Sequence, residues 1–190
     1  MGERVATLED LLRPGLRAVC IGINPSLVSV AAGHYYQGRA GQRLLARLRS
    51  AGVIGRMSKG QEDDDAFAEG VGFTDVVKRP TRAAEELRSA ELRHGASLLS
   101  AKLDAVKPKV AIFTYKQAAE AVFGRFNGNG FVAGLRIAHS EVFVMPGPYE
   151  ATDTANARLR ELSAHVRGLG VFDGLYEPGD LGALRDEERA

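Results

Sequence analysis

Four short apolar runs, separated by longer helical patterns, constrain the fold of this chain more than any other feature. Each run is rich in Val, Ile and Phe and is bounded by Gly, Pro or charged residues, which is typical of β-strands. None alternates cleanly between apolar and polar residues, as expected for strands that are covered on both faces. The runs are Ala18–Ile23, Gly72–Val77, Val110–Thr114 and Val142–Met145.

The segments between and after these runs carry apolar residues at helical spacing. Thr81 is a candidate N-cap for the second helix, and Pro108 marks the end of that helix. Strands that alternate with helices predict an α/β fold, a three-layer α/β/α sandwich with a central, mostly parallel four-stranded sheet. The predicted helices are Gln42–Ala51, Arg82–Val106, Lys116–Phe123 and Thr154–Leu169.

Length and composition indicate one ordinary globular domain. The chain has 190 residues, of which 45% are hydrophobic and 26% charged. We expect a single domain over residues 1–176 and a flexible C-terminal tail over residues 177–190. The net charge of +1 does not by itself indicate a nucleic-acid partner, so any DNA-binding role must rest on local residues.

Cellular context can be judged from one cysteine and from hydropathy. Cys20 is the single cysteine, which excludes an intrachain disulfide and suits a reducing cytoplasm. It lies in an apolar run, where a buried thiol is the usual role. No apolar stretch is long enough to span a membrane and no secretory signal is recognisable, so we expect a cytoplasmic protein without a membrane partner.

The sharpest motif is Gly22-Ile23-Asn24-Pro25-Ser26, directly after the first predicted strand. Ligands of parallel sheets bind at the carboxyl ends of the strands. Pro25 restricts the residue before it to an extended conformation, so Asn24 is held in a narrow range of poses. An amide held in this way can accept a hydrogen bond from a water molecule and orient that water. It is too weak a base to deprotonate the water. The alternative is a plain Asn-Pro turn.

Four blocks in order resemble a known family. The run Leu11–Cys20 leading into Gly22-Ile23-Asn24-Pro25 is similar to the opening of the mismatch-specific uracil and thymine DNA glycosylases, a branch of the uracil-DNA glycosylase superfamily. The resemblance extends over residues 9–167. The three later blocks that also resemble this family are Gly33-His34-Tyr35-Tyr36, Gly72–Thr81 and Val144–Pro148.

The resemblance implies a role for individual residues. Asn24 matches the catalytic asparagine that positions the attacking water, and Tyr36 matches an aromatic that stacks on the flipped base. Ser29 matches a pocket position, backbone groups around Ile23 and Tyr36 would read the pyrimidine edge, and His34 is a further candidate for substrate binding. The insertion loop that fills the hole left by the base comprises Pro146, Gly147, Pro148 and Tyr149, with Tyr149 as a candidate wedge.

The physical chemistry of base excision fits these roles. The target base must leave the stack at a cost of a few kcal/mol, which is lower for a mismatch. Stacking on an aromatic such as Tyr36 returns about 1–3 kcal/mol, although Tyr35 and Tyr36 could equally fill the core. The pyrimidine leaves as a stabilised anion, so no metal or organic cofactor is expected.

Several charged residues admit more than one interpretation. Asp75 follows the second strand and could accept from a base N–H, act as an auxiliary catalytic base, or simply pair with Lys78 or Arg79. Residues 62–65 are an acidic run that we expect to be a solvated loop rather than a metal site. Glu150 and Asp153 are expected near DNA phosphates, where their negative charges are unfavourable for tight binding of DNA. Basic residues expected on the DNA face are Arg39, Arg43, Lys78, Arg79 and Arg82.

The sequence therefore predicts a monofunctional DNA glycosylase that acts on uracil, or on thymine and other altered pyrimidines, in mispaired double-stranded DNA. It is expected to work as a monomer. Three alternatives stay open: a glycosylase for hypoxanthine or another deaminated purine, a non-catalytic module that binds lesions, and an unrelated hydrolase of small molecules on a similar fold.

Overall fold

The computed structural model describes residues 5–55, 57–147 and 150–169. Strands and helices alternate along most of the chain, as predicted. The strands are β1 (Ala18–Gly22), β2 (Val71–Asp75), β3 (Val110–Phe113), β4 (Gly130–Ile137) and β5 (Ser140–Val144). The helices are α1 (Leu27–Ala32), α2 (Arg39–Ser50), α3 (Glu62–Ala68), α4 (Ser89–Val106), α5 (Lys116–Phe123) and α6 (Thr152–Gly168), with a 3₁₀ turn at Ala84–Glu86.

The strands form one sheet in the order β2-β1-β3-β5-β4. The first four are parallel to one another, and β4 pairs antiparallel with β5 as the edge of a hairpin. The α/β class is confirmed, but the sheet has five strands and not four. Gly128, Gly130 and Gly134 are typical of a turn or of a hairpin into the last strand, so β4 was not among the predicted strands. In the structure Gly130 and Gly134 lie within this strand at positive φ, and the strand is only partly buried.

Helices cover both faces of the sheet, as expected of a three-layer sandwich. One core cluster joins β1, β2, β3 and β5 to apolar residues of α2, α3 and α6, including Leu45 and Leu162. The other joins the opposite face to α4 and α5, including Leu99 and Leu103. The central strands are buried along their whole length, which explains why they read as continuous apolar runs.

Helices α2 and α6 begin two or three residues before their predicted starts, and two other segments differ more clearly from the prediction. The helix expected from Arg82 begins only at Ser89, after an extended Arg88, so Thr81 is not its N-cap. The acidic run expected as a solvated loop is α3, whose residues Glu62 and Asp63 are buried. The expected tail over residues 177–190 lies outside the described residues. Among the helices that the structure describes, none is long and apolar enough to cross a membrane.

Candidate active site

The register of the sheet brings the predicted site residues to one edge. Gly22 at the end of β1 is the Cα partner of Asp75 at the end of β2. On the other side of β1, the Thr114 N–H donates to the Ile21 carbonyl at 3.0 Å. The loops after three neighbouring strands therefore leave the sheet side by side, at its carboxyl edge.

The amide of Asn24 is held in one orientation. Its Nδ2 atom donates to the Arg79 carbonyl at 2.9 Å and to Thr81 Oγ1 at 2.7 Å. A carbonyl can only accept, which decides which end of the amide is nitrogen. The Thr81 hydroxyl donates its own proton to the Ala83 carbonyl at 2.8 Å, so it too must accept from Asn24. Both amide protons are thus used, and Oδ1 is left as the end that can accept from water.

The loop after β2 runs alongside the loop after β1 and supplies these acceptors. The Val77 N–H donates to the Ile23 carbonyl at 2.9 Å, and the Thr81 N–H donates to the Pro25 carbonyl at 3.3 Å. Thr81 is 5% exposed. Sequence reasoning missed its role, because a threonine before a helical pattern is most simply interpreted as a cap.

Asp75 lies beneath the site and not at its surface. A Cβ atom on Gly22 would lie 2.2 Å from Asp75 Oδ1 and 3.3 Å from the Tyr36 hydroxyl, so only glycine leaves room for the carboxyl group. Asp75 is 3% exposed, and its buried Oδ2 has no hydrogen-bond partner among the described residues. Burial raises its pKa to about 7, although the positive charge of Lys78 acts to lower it. The carboxyl is therefore partly protonated near neutral pH.

A second carboxylate, Asp10, binds the cations near Asp75. It accepts hydrogen bonds from Thr74 Oγ1 at 2.7 Å, from Lys78 Nζ at 2.8 Å and from Lys102 Nζ. Burial alone would raise the pKa of Asp10, but the bonds from the two lysines and Thr74 bring it below its usual value. A pair of Lys78 with Asp75 was one alternative from the sequence, but Lys78 pairs with Asp10, a residue that no sequence signal marked.

Tyr36 and Tyr35 have different environments. Tyr35 is 3% exposed and stacks on Phe73, so it belongs to the core. Tyr36 is partly exposed and adopts a left-handed conformation with φ of 59°. Its hydroxyl donates to Thr114 Oγ1 at 3.3 Å, since the Thr114 proton is donated to the Ile21 carbonyl. Of the two tyrosines, only Tyr36 is partly exposed, so it is the candidate for contact with a ligand.

Helix α3 holds the loop that carries Tyr36. Asp63 Oδ2 accepts from the Tyr35 N–H at 2.7 Å, and Asp63 Oδ1 is 2.9 Å from His34 Nδ1. Glu62 accepts from the Gln37 side chain at 2.9 Å. The acidic run was expected in solvent, but its first two carboxylates are buried because they satisfy the polar groups of this loop.

His34, Asp63 and Asp64 are the one group in the described part of the chain whose ligand atoms lie close enough, within 4.8 Å, to hold a metal ion. Both oxygens of Asp63 are already hydrogen-bonded to the loop. We therefore interpret the contacts of Asp63 with His34 and Tyr35 as a structural clamp on this loop.

Ser29 joins the Asn24 loop to the Tyr36 loop. Ser26 Oγ accepts from the Ser29 N–H at 3.1 Å as the N-cap of α1, and donates to Ser29 Oγ at 3.0 Å. Ser29 Oγ also accepts from the Gln37 N–H at 3.2 Å and is 5% exposed. Ser29 therefore connects the N-terminus of α1, which follows the Asn24-Pro25 turn, to the loop that carries Tyr36.

Comparison with known proteins identifies the family to which this arrangement belongs. A family model described as the uracil DNA glycosylase superfamily matches residues 9–165. The chain belongs to that superfamily. Its members are DNA glycosylases, so this is a hydrolase of DNA repair that acts on DNA. The match covers most of the chain and argues against an unrelated hydrolase of small molecules. Membership of the mismatch-specific branch of the superfamily stays a prediction.

The insertion loop expected in this glycosylase begins directly after β5. Pro146 is buried and Gly147 is exposed, while Pro148 and Tyr149 lie outside the described residues. Glu150 was expected beside DNA phosphates. Its carboxylate is instead 3.1 Å from Arg158 Nε and the side chain is 16% exposed, so its charge is compensated within the protein.

The basic residues expected on the DNA face divide into two groups. Lys78 is paired with Asp10, and Arg79 is 2.6 Å from Glu91. These two side chains are therefore engaged within the glycosylase. Arg39, Arg43 and Arg82 are exposed and stay candidates for phosphate contacts.

Proposed function

We propose that this chain is a monofunctional DNA glycosylase that hydrolyses the N-glycosidic bond of mispaired uracil, and of thymine or other altered pyrimidines, in double-stranded DNA. The orientation of Asn24 carries the proposal. With both amide protons donated to Arg79 and Thr81, Oδ1 is presented as an acceptor at the carboxyl edge of the sheet. A water molecule bound there is aimed at a sugar whose base lies in the pocket.

The reaction needs little assistance from the attacking water, because the base leaves as a stabilised anion. Preorganised donors that bind the charge developing on the base oxygen commonly lower a barrier by about 3–4 kcal/mol. Asn24 then orients the water that captures the oxocarbenium-like sugar. An amide suits this task, since the water loses its proton only after the sugar has become strongly electrophilic.

We assign Asp75 as the second catalytic candidate, an auxiliary base or a reader of the base N–H. Its pKa of about 7 means that both protonation states are populated at neutral pH. Because Asp75 is 3% exposed, either role requires the flipped base or the water to reach it past Tyr36. A carboxyl group with an unpartnered buried oxygen is poised to gain a hydrogen bond from such a ligand.

The remaining pocket roles rest on the Tyr36 loop. Tyr36 would stack on the flipped base, and its backbone with that of Ile23 would read the pyrimidine edge. Ser29 and His34 would line the same pocket, with His34 oriented by Asp63. The insertion loop of Pro146, Gly147, Pro148 and Tyr149 would fill the space that the base leaves in the duplex.

Lys78 does not suit covalent chemistry with the sugar. Its Nζ atom donates to Asp10 at 2.8 Å and to the Tyr35 hydroxyl at 2.9 Å, so these bonds hold it within the protein. A lysine engaged in this way is not available as a nucleophile for a Schiff base with the sugar, so the proposal is of an enzyme that leaves an abasic site. We propose that it acts as a monomer in the cytoplasm.

The test is base release from labelled duplexes carrying G·U, A·U, G·T or I·C, measured at single turnover. Asn24→Ala should reduce release from G·U by at least about tenfold. Asn127→Ala is the matched control, because Asn127 is an exposed asparagine before β4. A variant that releases uracil as fast as the wild type would contradict the role of Asn24.

Two other outcomes would replace the proposed substrate or activity. Fastest release from I·C would identify a glycosylase for deaminated purines. Binding of the lesion duplexes without release of any base would identify a lesion-binding module.

A further inference from the structure

The first described residues run along the outer edge of β2 and bring Asp10 to the end of that strand. The Leu11 N–H donates to the Phe73 carbonyl at 2.9 Å, and the Phe73 N–H donates to the Leu11 carbonyl at 3.1 Å. β2 is the first strand in the order of the sheet, so this pair lies at its open edge. Beside the pair, Asp10 accepts from Thr74 Oγ1 at 2.7 Å. Asp10 is therefore held in a fixed position beside the end of β2, where Asp75 lies.

Asp10 binds two lysines that approach it from different elements. Lys78 of the loop after β2 donates to Oδ1 at 2.8 Å, and Lys102 of α4 donates to Oδ2. The side chains of Asp10, Lys78 and Lys102 are 21%, 28% and 31% exposed, so these ion pairs are partly shielded from water. We call Asp10, Lys78 and Lys102 the charge triad. With one carboxylate and two ammonium groups, its net charge is +1.

Asp75 lies near the charge triad but takes no part in its ion pairs. Among the described residues no ion pair joins Asp75 to a lysine, and its buried Oδ2 atom accepts no hydrogen bond. Burial is the main cause that raises its pKa, whereas Lys78 and Lys102 act to lower that pKa and Asp10 acts to raise it. Two cations are thus close enough to act on Asp75, while their bonds go to the other carboxylate.

The other titratable groups near Asp75 are two tyrosine hydroxyls. The space beside Gly22 is shared by Asp75 Oδ1 and the Tyr36 hydroxyl, which lie 2.2 Å and 3.3 Å from the position of a Cβ atom on that glycine. The Tyr35 hydroxyl accepts from Lys78 Nζ at 2.9 Å. Burial raises the pKa of both hydroxyls above the ordinary value of tyrosine, so neither carries a charge near neutral pH. The nearby charge that acts on Asp75 in that range therefore comes from the triad.

We propose that Asp10 is a positioning residue for Asp75, because it binds both lysines of the triad and keeps their ammonium groups from pairing with the Asp75 carboxyl. The inference rests on the proposed function, in which Asp75 is the second catalytic candidate. A carboxyl group without an ion-pair partner keeps its oxygens available to the flipped base or to water. An ammonium group that lost Asp10 would have the Asp75 carboxyl as a new acceptor, since a buried oxygen without a partner favours a new donor.

Loss of Asp10 has a consequence for the protonation of Asp75. An opposite charge next to a carboxyl group favours its ionised form and lowers its pKa. The net charge of the triad is +2 in Asp10→Asn, +1 in the wild type and 0 in Lys102→Met, which keeps the apolar stem and the pair of Lys78 with Asp10. The pH at which Asp75 is half-ionised, its midpoint, should therefore increase in that order across the three proteins.

The experiment measures the ionisation of Asp75 directly and compares it with the rate of base release. In protein labelled at aspartate, NMR follows the side-chain carboxyl carbon of Asp75 from about pH 4 to about pH 9, with Asp75→Asn to assign the signal. Single-turnover release of uracil from a G·U duplex is measured over the same range. Asp104→Asn is the matched control, because Asp104 lies on the same helix as Lys102, outside the triad, and its side chain is 63% exposed.

We expect the Asp75 midpoint to fall by about one pH unit or more in Asp10→Asn and to rise in Lys102→Met. Variants that only loosened the fold would not move the midpoint in opposite directions. Both roles proposed for Asp75 use the carboxylate, so the pH at which base release reaches half of its plateau should shift with the midpoint. Asp104→Asn should leave both values unchanged.

Two results would overturn the inference: an Asp75 midpoint that is unchanged or higher in Asp10→Asn, and a midpoint that moves the same way in both variants. If Asp10→Asn does not fold, Lys102→Met decides alone, and the absence of an upward shift contradicts the inference. Shifted midpoints with an unshifted rate profile would overturn the role of Asp10 in catalysis. A wild type that releases no base, with midpoints that shift as expected, would refute the proposed function and support the control of Asp75 by Asp10.

Discussion

Replacing Thr81 by valine should weaken catalysis without touching a catalytic residue. The substitution keeps the shape of the side chain and removes one oxygen. That oxygen accepts from Asn24 Nδ2 at 2.7 Å and donates to the Ala83 carbonyl at 2.8 Å. Asn24 would then be oriented by the Arg79 carbonyl at 2.9 Å and by a longer contact to the Pro25 carbonyl at 3.5 Å.

The magnitude follows from the hydrogen bond that is lost. One such bond contributes about 1 kcal/mol, and about 1.4 kcal/mol on a barrier is a tenfold change in rate. Because the amide must keep its position in the transition state for attack by water, loss of this bond raises that barrier by about the same amount. We therefore expect kcat to fall about three- to tenfold and the free energy of unfolding to fall by about 1–2 kcal/mol.

The assay is single-turnover release of uracil from a G·U duplex, together with urea unfolding of the same samples. Thr154→Val is the control, because Thr154 is exposed in the first turn of α6. KM should change little in Thr81→Val, since the amide aims water and does not bind the DNA.

A double-mutant cycle decides whether Thr81 acts through Asn24. In an Asn24→Ala background the amide is gone, so Thr81→Val should no longer change the rate. If the two substitutions lower the rate independently, or if Thr81→Val lowers stability and leaves kcat intact, the orienting role of Thr81 is refuted.

Two further predictions concern buried acids. The folded-state pKa of Asp75, about 7, lies above its unfolded value of 3.8, so its contribution to stability is full below pH 4 and is lost as pH rises to about 7. Relative to wild type, the free energy of unfolding of Asp75→Asn should therefore rise over that interval by up to about 1.4 kcal/mol per pH unit. Urea unfolding measures this difference, and a difference between variant and wild type that stays constant from pH 5 to pH 8 would contradict the prediction. Asp63→Ala removes the acceptor of the Tyr35 N–H, so it should lower the free energy of unfolding by about 1–3 kcal/mol and raise KM for DNA. Asp64→Ala is the control: its side chain is 56% exposed, and its removal should change neither quantity.

Local sequence patterns sufficed for much of the fold. Central strands are buried on both faces, so their apolar runs stand out without any knowledge of their neighbours. Helix α5 was predicted at the bounds that it has, Lys116–Phe123. The edge strand β4 was not predicted, because Gly130 at its start and Gly134 within it are typical of turns and divide its apolar residues.

The sequence by itself also determined where the candidate site lies, since an Asn-Pro pair directly after a parallel strand is at the carboxyl edge of the sheet. It could not decide the orientation of the Asn24 amide, which depends on acceptors 55 and 57 residues later in the chain. The sequence likewise could not decide that Glu62 and Asp63 are buried, or that the Asp75 carboxyl group lies against Gly22. Hydrogen-bond partners and desolvation are set by strand register and packing between distant segments, and only the tertiary structure contains them.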